Sequence, residues 1–592
     1  MNHEAIEDDA AGRAYDRVLA RRLLGFLRPY RALVAVAVLL LLVDSLLELV
    51  GPYITKLAID RHIAAGELQG LGRLALLYLA VVLAGFGLQY AQFYVMQWVG
   101  QQIQFDLRCR LVRHIQSQEL GFFDRNPVGR LMTRVMGDVS TLNELFTSGV
   151  VAIFGDLLTL LGIVVAMFVL DWRLALVANV VLPVLFAISM LFRARVRTTY
   201  LRIRARIAAL NAFLQEQITG IRVVQLFGRE PASAARFAAL NAAHREAHLQ
   251  TVGYYALFFP AVELVSAVAT GLIIWYGGGR VVQHSLQLGV LVAFLQYAER
   301  FFRPISDLSE KYNTFQSAMA SSERIFRLLD REPRIRNPEQ PRRLQRARGQ
   351  LVFENVHFAY KPDEPVLHGL SFTVQPGERV ALVGATGAGK TSVLAALTRL
   401  YEIQSGRILL DGTDIRELEL GDLRRQVGVV LQDAFLFAGS LEHNIRMGEA
   451  RITPERVREA ARLVHAAPFI ERLPEGYAAQ VSERGGTLSL GQRQLVALAR
   501  VLAFDPAILV LDEATSSVDT QTELEIQDAV HRVLAGRTAL VVAHRLSTIQ
   551  HCDRILVLHH GRLRESGTHA QLLRVGGIYA RLYELQFRDQ AA

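Results

Sequence analysis

Cysteine is scarce in this 592-residue sequence: Cys109 and Cys552 are its two cysteines, which excludes a disulfide scaffold and favours a reducing setting. Charge is also low, because 20% of the residues are charged whereas soluble proteins average about 25%. Hydrophobic residues make up 51% and mean hydropathy is +0.24, which excludes a disordered chain. The net charge of +9 suits nucleic acid or an anionic membrane surface, and the hydropathy favours the membrane.

The N-terminal residues do not resemble a secretory signal, because they are polar and acidic where a signal is basic and then apolar. Residues 16–28 place apolar side chains on one helical face, with arginines between them. This pattern favours a helix on the cytoplasmic membrane surface, and an ordinary soluble amphipathic helix is the alternative. Residues 1–30 are therefore predicted to be a cytoplasmic N-terminus with an interfacial helix.

Residues 31–330 are predicted to form a membrane domain, since a spanning helix needs about 20 apolar residues. The six candidate spans are 31–55, 73–99, 147–170, 174–192, 253–278 and 286–303. Arginines concentrate in the two long connections, so the positive-inside rule places these connections and both termini in the cytoplasm. Pro183 and Pro260 lie inside apolar runs and are expected to kink helices. The predicted fold here is α-helical, with six transmembrane helices and long cytoplasmic extensions.

A change in composition near Arg334 marks a second domain. Residues 331–349 are predicted to be a linker, and residues 350–592 alternate short apolar runs with helical patterns, as in an α/β domain with a parallel sheet. Four runs end in polar residues: 379–383, 427–431, 508–511 and 540–543. Ligands bind at the carboxyl ends of such strands, so these residues are expected to converge.

Residues 384–391 match the P-loop pattern G-x-x-x-x-G-K-[ST] between a predicted strand and a predicted helix. Glycines let backbone N–H groups close around phosphate, and the helix presents its positive end. Lys390 is predicted to reach the outer phosphates, and the Thr391 hydroxyl to ligate Mg²⁺.

The next two strand ends supply candidates for hydrolysis. Asp512 ends an apolar run, as the Mg²⁺-associated carboxylate of P-loop enzymes does, and Glu513 is placed to polarise an attacking water. His544 follows another run and is predicted to contact the γ-phosphate. Taken alone, an Asp-Glu pair would suggest a solvated turn. A single histidine, taken alone, would suggest a structural role.

Together these motifs resemble the ATP-binding cassette (ABC) exporters. Residues 488–492 are similar to the family's signature sequence, and residues 516–519 resemble its D-loop. Gln432 resembles the Q-loop glutamine, and Tyr360 the aromatic residue that stacks on adenine. Residues 122–131 resemble the first coupling segment of exporters, and residues near 220–230 would form a second.

The resemblance implies a half-transporter: an α-helical membrane domain plus an α/β P-loop ABC ATPase domain, in the cytoplasmic (inner) membrane, working as a dimer by alternating access. ATP and Mg²⁺ are the implied cofactors. The implied partners are a second half-transporter, membrane lipid and a small amphipathic substrate, without nucleic acid. The implied nucleotide contacts are Tyr360, Gly384, Thr386, Gly387, Gly389, Lys390, Thr391, Ser392 and Gln432. The implied Mg²⁺ ligands are Thr391, Gln432 and Asp512, and the implied catalytic pair is Glu513 and His544. The signature residues that would face the opposite nucleotide are Ser489, Gly491 and Gln492. The implied D-loop residue is Asp519.

Three other functions are compatible with an ABC ATPase: a regulatory ATPase with a membrane anchor, an importer, and a channel gated by ATP. Six spans with long extensions weigh against the anchor. Fusion of both domains in one chain weighs against an importer. Glu513 favours hydrolysis over gating alone.

The signature departs from the family's Leu-Ser-Gly-Gly-Gln, because Leu490 replaces the first glycine of the pair. A side chain there adds bulk where the backbone approaches the opposite nucleotide. The chain therefore resembles the half of a heterodimeric exporter that keeps its catalytic residues. A homodimer that tolerates Leu490 is the alternative.

Four acids lie within the candidate spans: Asp44, Asp156, Glu263 and Glu299. A charge facing lipid at the midplane costs about 2.5–3.5 kcal/mol or more, so they are expected to face a watery cavity or to pair, for example with Arg300. Structural hydrogen bonding between helices is one role for them. An acidic cavity that favours amphipathic cations is the other.

Overall fold

The computed structural model describes residues 17–482, 485–512, 520–542 and 549–587. Contacts divide these residues into two compact units. The membrane unit comprises the described residues of 17–114 and 129–331, and the ATPase unit those of 115–128 and 332–587. The segment 115–128 thus belongs to the ATPase unit, although it lies between two predicted spans.

Helices α1–α13 precede the first strand, and all but α4 lie wholly or mainly in the membrane unit. They are α1 (Arg17–Gly25), α2 (Arg31–Ala58), α3 (Leu71–Gln116), α4 (Leu120–Arg125), α5 (Val128–Thr133), α6 (Val139–Glu144), α7 (Val151–Leu170), α8 (Trp172–Asn179), α9 (Leu182–Thr219), α10 (Ile221–Leu226), α11 (Glu230–Leu272), α12 (Gly278–Val282) and α13 (Leu288–Leu329). π-helical turns interrupt the series at Ile59–Ile63, Arg134–Asp138, Leu145–Val150 and Ile273–Gly277.

Five stretches of the described chain are long and apolar enough to cross a membrane: Arg28–Ile63, Leu71–Gln116, Ile153–Leu170, Trp172–Thr219 and Glu230–Val282. The sixth predicted span lies in α13, whose apolar part also carries Glu299, Arg300 and Arg303. The lengths of α3, α9 and α11 agree with the expected long extensions, since at 1.5 Å per residue each exceeds a bilayer core of about 30 Å.

The prolines behave differently from the expectation at one position. Pro183 does not kink a helix: α8 ends at Asn179, and Pro183 lies in the first turn of α9. A proline is favourable there, because the first turn has no partner for its N–H. Pro260 lies inside α11 as predicted, and Pro52 lies inside α2.

The core of the membrane unit lies between α7, α8, α9, α11 and α13, where α11 packs along α9 and α13 packs on α2 and α7. The predicted interfacial helix α1 packs against the end of α13. Leu23 is buried, Arg22 forms a two-bond ion pair with Asp330, and Phe26 stacks on Phe326 with ring centroids 5.9 Å apart.

The ATPase unit contains three sheets and nine further helices among its described residues. The strands are β1 (Leu351–Lys361), β2 (Glu364–Val374), β3 (Arg379–Val383), β4 (Ser405–Leu410), β5 (Thr413–Asp414), β6 (Val427–Val430), β7 (Gly439–Ser440), β8 (Gln480–Val481), β9 (Ile508–Asp512), β10 (Thr538–Val542), β11 (Arg554–His559) and β12 (Arg562–Gly567). The helices are α14 (Lys390–Leu397), α15 (Leu420–Gln426), α16 (Leu441–Arg446), α17 (Pro454–Leu463), α18 (Ala467–Glu471), α19 (Leu490–Phe504), α20 (Thr520–Leu534), α21 (His569–Val575) and α22 (Ile578–Phe587).

The largest sheet has the order β12-β11-β3-β10-β9-β6, and its strands run parallel except for β12. The central strands are buried on both faces, which explains their continuous Val, Ile and Leu composition. An antiparallel sheet with the order β2-β1-β4-β5 lies beside it and shares the second core cluster of the unit. The four strands predicted from their polar ends, β3, β10, β9 and β6, are direct neighbours in this order.

Candidate nucleotide-binding site

The P-loop joins β3 to α14, and its glycines are required by the backbone. Gly389 has a φ of +99°, in the left-handed region, and a Cβ there would lie 2.8 Å from Cδ2 of Leu367. A Cβ on Gly384 would lie 2.3 Å from the carbonyl oxygen of Leu558. The loop can therefore close tightly before the N-terminus of α14, which is the arrangement that binds phosphate.

Lys390 begins α14, and its side chain folds back into the loop. Nζ donates hydrogen bonds to the carbonyl oxygens of Gly384 at 2.6 Å and Ala385 at 3.1 Å. Burial lowers the pKa of Lys390, and the nearby Asp512 carboxylate opposes this shift. Both hydrogen bonds of this buried ammonium go to neutral carbonyl oxygens, so the position fits an anionic phosphate.

The parallel register places the next strand ends beside the P-loop. Val542 pairs with Leu382 and with Asp512, and Leu511 pairs with Val430. Asp512 thus ends its strand at the sheet edge where β3 and β6 also end. Gln432 follows β6 by two positions and is exposed. Glu513, Asp519 and His544 lie outside the described residues.

Tyr360 and Ser392 are brought together, since their hydroxyl oxygens lie 3.1 Å apart. Tyr360 is 42% exposed, so part of the side chain remains accessible for stacking on a base. Two rings meet it edge-on: Phe358, with ring centroids 4.8 Å apart, and Tyr401, with ring centroids 5.0 Å apart. Thr386 and Gly387 are exposed in the P-loop, and Thr391 is exposed in the first turn of α14.

The signature residues form the start of α19. Ser489 is its N-cap: Oγ accepts from the N–H of Gln492 at 3.2 Å, and Oε1 of Gln492 accepts from the N–H of Ser489 at 3.0 Å. This capping box holds the helix end rigidly. Gly491 is buried, whereas Leu490 is half-buried and occupies the first position of the helix.

The sequence did not single out several residues that support this site. Asn444 is fully buried and bonds to both the N–H and the carbonyl of Phe437, and Arg500 donates to the carbonyl of Phe435. These bonds shape the loop that follows Gln432. Isolated Asn and Arg residues in a helix give no sequence signal for such a role.

Tyr401 is another residue that the sequence did not single out. Its hydroxyl donates to the Asp124 carboxylate in α4, and a Cβ on Gly121 would lie 3.3 Å from Cε1 of Tyr401. Burial and the hydrogen bond to Asp124 raise the pKa of Tyr401, so the hydroxyl keeps its proton. Tyr401 therefore contacts both the candidate adenine-stacking residue Tyr360 and the predicted coupling segment.

The four intramembrane acids have different surroundings. Asp156 forms an ion pair with Lys311, and Asp44 is half-buried. Glu263 and Glu299 are exposed on their helices. The suggested partner, Arg300, donates from Nη1 to the backbone carbonyl of Glu48.

Comparison with known proteins agrees with this architecture. Residues 34–305 match the ABC transporter transmembrane region, and residues 367–516 match the ABC transporter ATPase family. The chain is 40% identical over 568 residues to the uncharacterized ABC transporter ATP-binding protein YknV of Bacillus subtilis, covering 96% of this chain and 94% of that protein. The chain belongs to the ABC exporters. It is also 37% identical over 569 residues to an ATP-dependent lipid A-core flippase of Syntrophus aciditrophicus, with 96% and 94% coverage.

A solved exporter structure has a fold similar to that of this chain. The chain matches a bacterial Atm1-family ABC exporter with ATP bound, with a TM-score of 0.78 and 30% identity over 94% of this chain and 98% of that one. The protein is therefore a membrane-spanning exporter that binds ATP and couples its hydrolysis to transport.

Proposed function

We propose that this exporter is a half-transporter that moves an amphipathic or hydrophobic substrate out across the cytoplasmic membrane by alternating access. The proposal rests on one end of the largest sheet, where the strands that precede Lys390, Gln432 and the sheet residue Asp512 all end. The same chain contains one signature helix, α19. One P-loop and one signature cannot sandwich two nucleotides, so the functional form is a dimer. Its termini lie in the cytoplasm.

In this proposal each nucleotide contacts the P-loop of one chain and the signature of the other. Lys390 would exchange its two carbonyl bonds for phosphate oxygens, and Thr391, Gln432 and Asp512 would hold Mg²⁺. Glu513 and His544 would act on the attacking water and the γ-phosphate. When bound, Mg²⁺ neutralises charge that develops on the phosphates. ATP then binds the closed dimer better than the open one, and differential affinity is what shifts the equilibrium.

The apolar surface of α10 supports a second chain as the partner. Val223 is 60% exposed and Leu226 81% on α10, which lies between the long helices α9 and α11, and Phe227, the next residue, is 75% exposed. Clustered apolar side chains of this kind mark an interaction surface. We propose that this second coupling segment docks on the ATPase unit of the partner chain.

We favour a heterodimer because of Leu490. Its side chain stands on the first helical residue after the Ser489 cap, where the signature backbone would approach the opposite nucleotide. A site built with this signature would be weakened, and the partner's signature would complete the site that contains Lys390 and Glu513. A homodimer that tolerates Leu490 is the alternative.

The acids of the membrane unit support one substrate class. The ion pair with Lys311 neutralises Asp156, and of the four predicted acids this leaves Asp44, Glu263 and Glu299 to attract a cationic group. We propose an amphipathic cation as substrate. Relatives named as a lipid A-core flippase and as a probable multidrug resistance transporter supply lipids and drugs as the compounds to compare.

Purified protein in lipid tests the ATPase assignment. Glu513→Gln should lower steady-state ATP hydrolysis about 100-fold or more, since a general base is worth about 10²–10⁴-fold, and should leave ATP affinity unchanged. Glu525→Gln, on the exposed surface of α20, is the matched control. Near-normal hydrolysis by Glu513→Gln would refute the catalytic role.

Expression of the chain alone tests the oligomer. A stable homodimer with robust, substrate-stimulated ATPase activity would rule out the heterodimer. Poor activity that is restored by co-expressing a second half-transporter would support it.

In vesicles, cation uptake should fall when Asp44, Glu263 and Glu299 are neutralised together, and unchanged uptake would refute the acidic cavity.

A further inference from the structure

Pro52 leaves one backbone carbonyl of α2 without its helical partner. A proline has no N–H, so the carbonyl of the residue four positions earlier, Glu48, cannot accept its usual hydrogen bond. Pro52 lies six residues before the end of α2 at Ala58, which places Glu48 about 15 Å from that end, within the bilayer core. A carbonyl at this depth must find another donor or carry a large desolvation cost.

The sixth-span helix α13 supplies that donor. Nη1 of Arg300 donates to the Glu48 carbonyl, and one turn earlier the Tyr297 hydroxyl donates to the Leu49 carbonyl at 2.6 Å. Tyr297 and Arg300 are three residues apart, so they lie on the same face of α13. Two consecutive carbonyls at the proline are therefore capped by two side chains of one neighbouring helix.

The packing around this contact is close. Tyr297 is 1% exposed, and Gly51 and Pro52 are buried. A Cβ on Gly51 would lie 3.5 Å from Nη2 of Arg300, so a side chain larger than alanine would meet the guanidinium. The absence of a side chain at Gly51 thus gives Arg300 access to the part of α2 around Pro52.

We propose that Arg300 is a positioning residue that replaces the hydrogen bond removed by Pro52 and, with Tyr297, forms a latch between the first and sixth spans. This role rests on the alternating-access function proposed above. Separation of α2 from α13 removes the Arg300 bond from the Glu48 carbonyl, so the latch favours contact between the two helices at this level. The latch opens when water or a polar group of the substrate takes the place of the guanidinium. Arg300 therefore acts on α2 through a backbone carbonyl.

Hydrogen exchange of the full-length protein in lipid nanodiscs tests the latch without relying on transport. Arg300→Met should accelerate exchange in peptides that cover residues 46–58 by roughly tenfold, as expected for loss of a charge-assisted bond. Pro52→Ala restores an N–H opposite the Glu48 carbonyl, so in that background Arg300→Met should change the exchange by less than about twofold. Arg204→Met, an exposed arginine of α9, is the control and should have no effect on this segment.

Equal acceleration in the two backgrounds, or none in either, would overturn the proposal. If Arg300→Met does not fold, Arg300→Lys replaces it, because an amine can still donate to the carbonyl. Faster exchange in Arg300→Lys that is smaller than tenfold and occurs only when Pro52 is present then supports the latch. Faster exchange in Arg300→Lys that is the same with and without Pro52 refutes it. Wild-type protein that transports no substrate in vesicles, while the variants show the expected exchange pattern, would instead count against the proposed transport function.

Discussion

The bond between Tyr401 and Asp124 gives a direct test of how the predicted coupling segment is held. Tyr401→Phe removes one hydroxyl and keeps the ring that contacts Tyr360. A net hydrogen bond contributes about 0.5–1.5 kcal/mol, and we expect about 1 kcal/mol here because Asp124 is exposed to solvent. Since 1.4 kcal/mol is about tenfold, α4 should open roughly fivefold more often.

Hydrogen exchange of peptides covering residues 118–126 measures this opening. ATP affinity should stay unchanged, and substrate-stimulated ATPase activity should fall relative to basal activity. Tyr477→Phe is the matched control, because the Tyr477 hydroxyl is buried without a hydrogen-bond partner among the described residues. Unchanged exchange in folded Tyr401→Phe protein would refute the argument.

The pH dependence of this contact follows from the raised pKa of Tyr401. A free tyrosine has a pKa of about 10, and a higher folded value means that the protonated, donating form is stabilised. The contribution is therefore fully present below about pH 10 and is lost only as the pH rises through the higher folded value. Between about pH 7 and 9 the difference between wild type and Tyr401→Phe should stay constant, and a difference that vanishes within this window would contradict the assignment.

Three further changes have defined outcomes. Lys390→Ala should weaken ATP binding by about 10–100-fold in a titration, since a hydrogen bond to a charged group is worth about 1.5–3 kcal/mol. Arg22→Glu should accelerate exchange in α1 a few-fold by breaking the ion pair with Asp330, and adding Asp330→Arg should restore most of the protection. Gly100→Ala should lower the thermal unfolding temperature, because its Cβ would lie 2.2 Å from Oδ1 of Asn143 and such overpacking costs about 1–3 kcal/mol.

Matched variants separate these effects from general damage. Lys361→Ala removes an exposed lysine of β1 and should leave ATP affinity intact. Gly129→Ala adds a methyl group where no atom lies within 4 Å and should not lower the unfolding temperature. If α1 exchanges as slowly in Arg22→Glu as in wild type, the ion pair with Asp330 contributes little. If Gly100→Ala unfolds at the wild-type temperature, the close packing of Gly100 against Asn143 contributes little.

Local chemistry made much of the ATPase unit predictable. The P-loop spans consecutive residues, and its glycine requirement follows from backbone sterics. Parallel strands that are buried on both faces have continuous apolar runs, so β3, β6, β9 and β10 could be found and their polar ends expected to meet. Long apolar runs likewise predicted the membrane helices, because the bilayer sets their length.

The tertiary structure alone decided the pairings between distant residues. The sequence predicted acids in the spans, but the neighbours of each acid depend on how the helices rotate and pack. Lys311 is 155 residues from Asp156, and Arg300 is 252 residues from Glu48. Arg300 donates to the Glu48 carbonyl, to which Pro52 offers no N–H, and only packing shows that the two meet.

The same distinction holds for the coupling segment and for α1. The sequence predicted α1 from its apolar face and identified the coupling segment from its resemblance to exporters. It did not determine that α4 joins the ATPase unit through Tyr401 or that Arg22 is fixed to Asp330, 308 residues away. Side-chain periodicity specifies which face of a helix is apolar, whereas the identity of the surface that covers it depends on the whole fold.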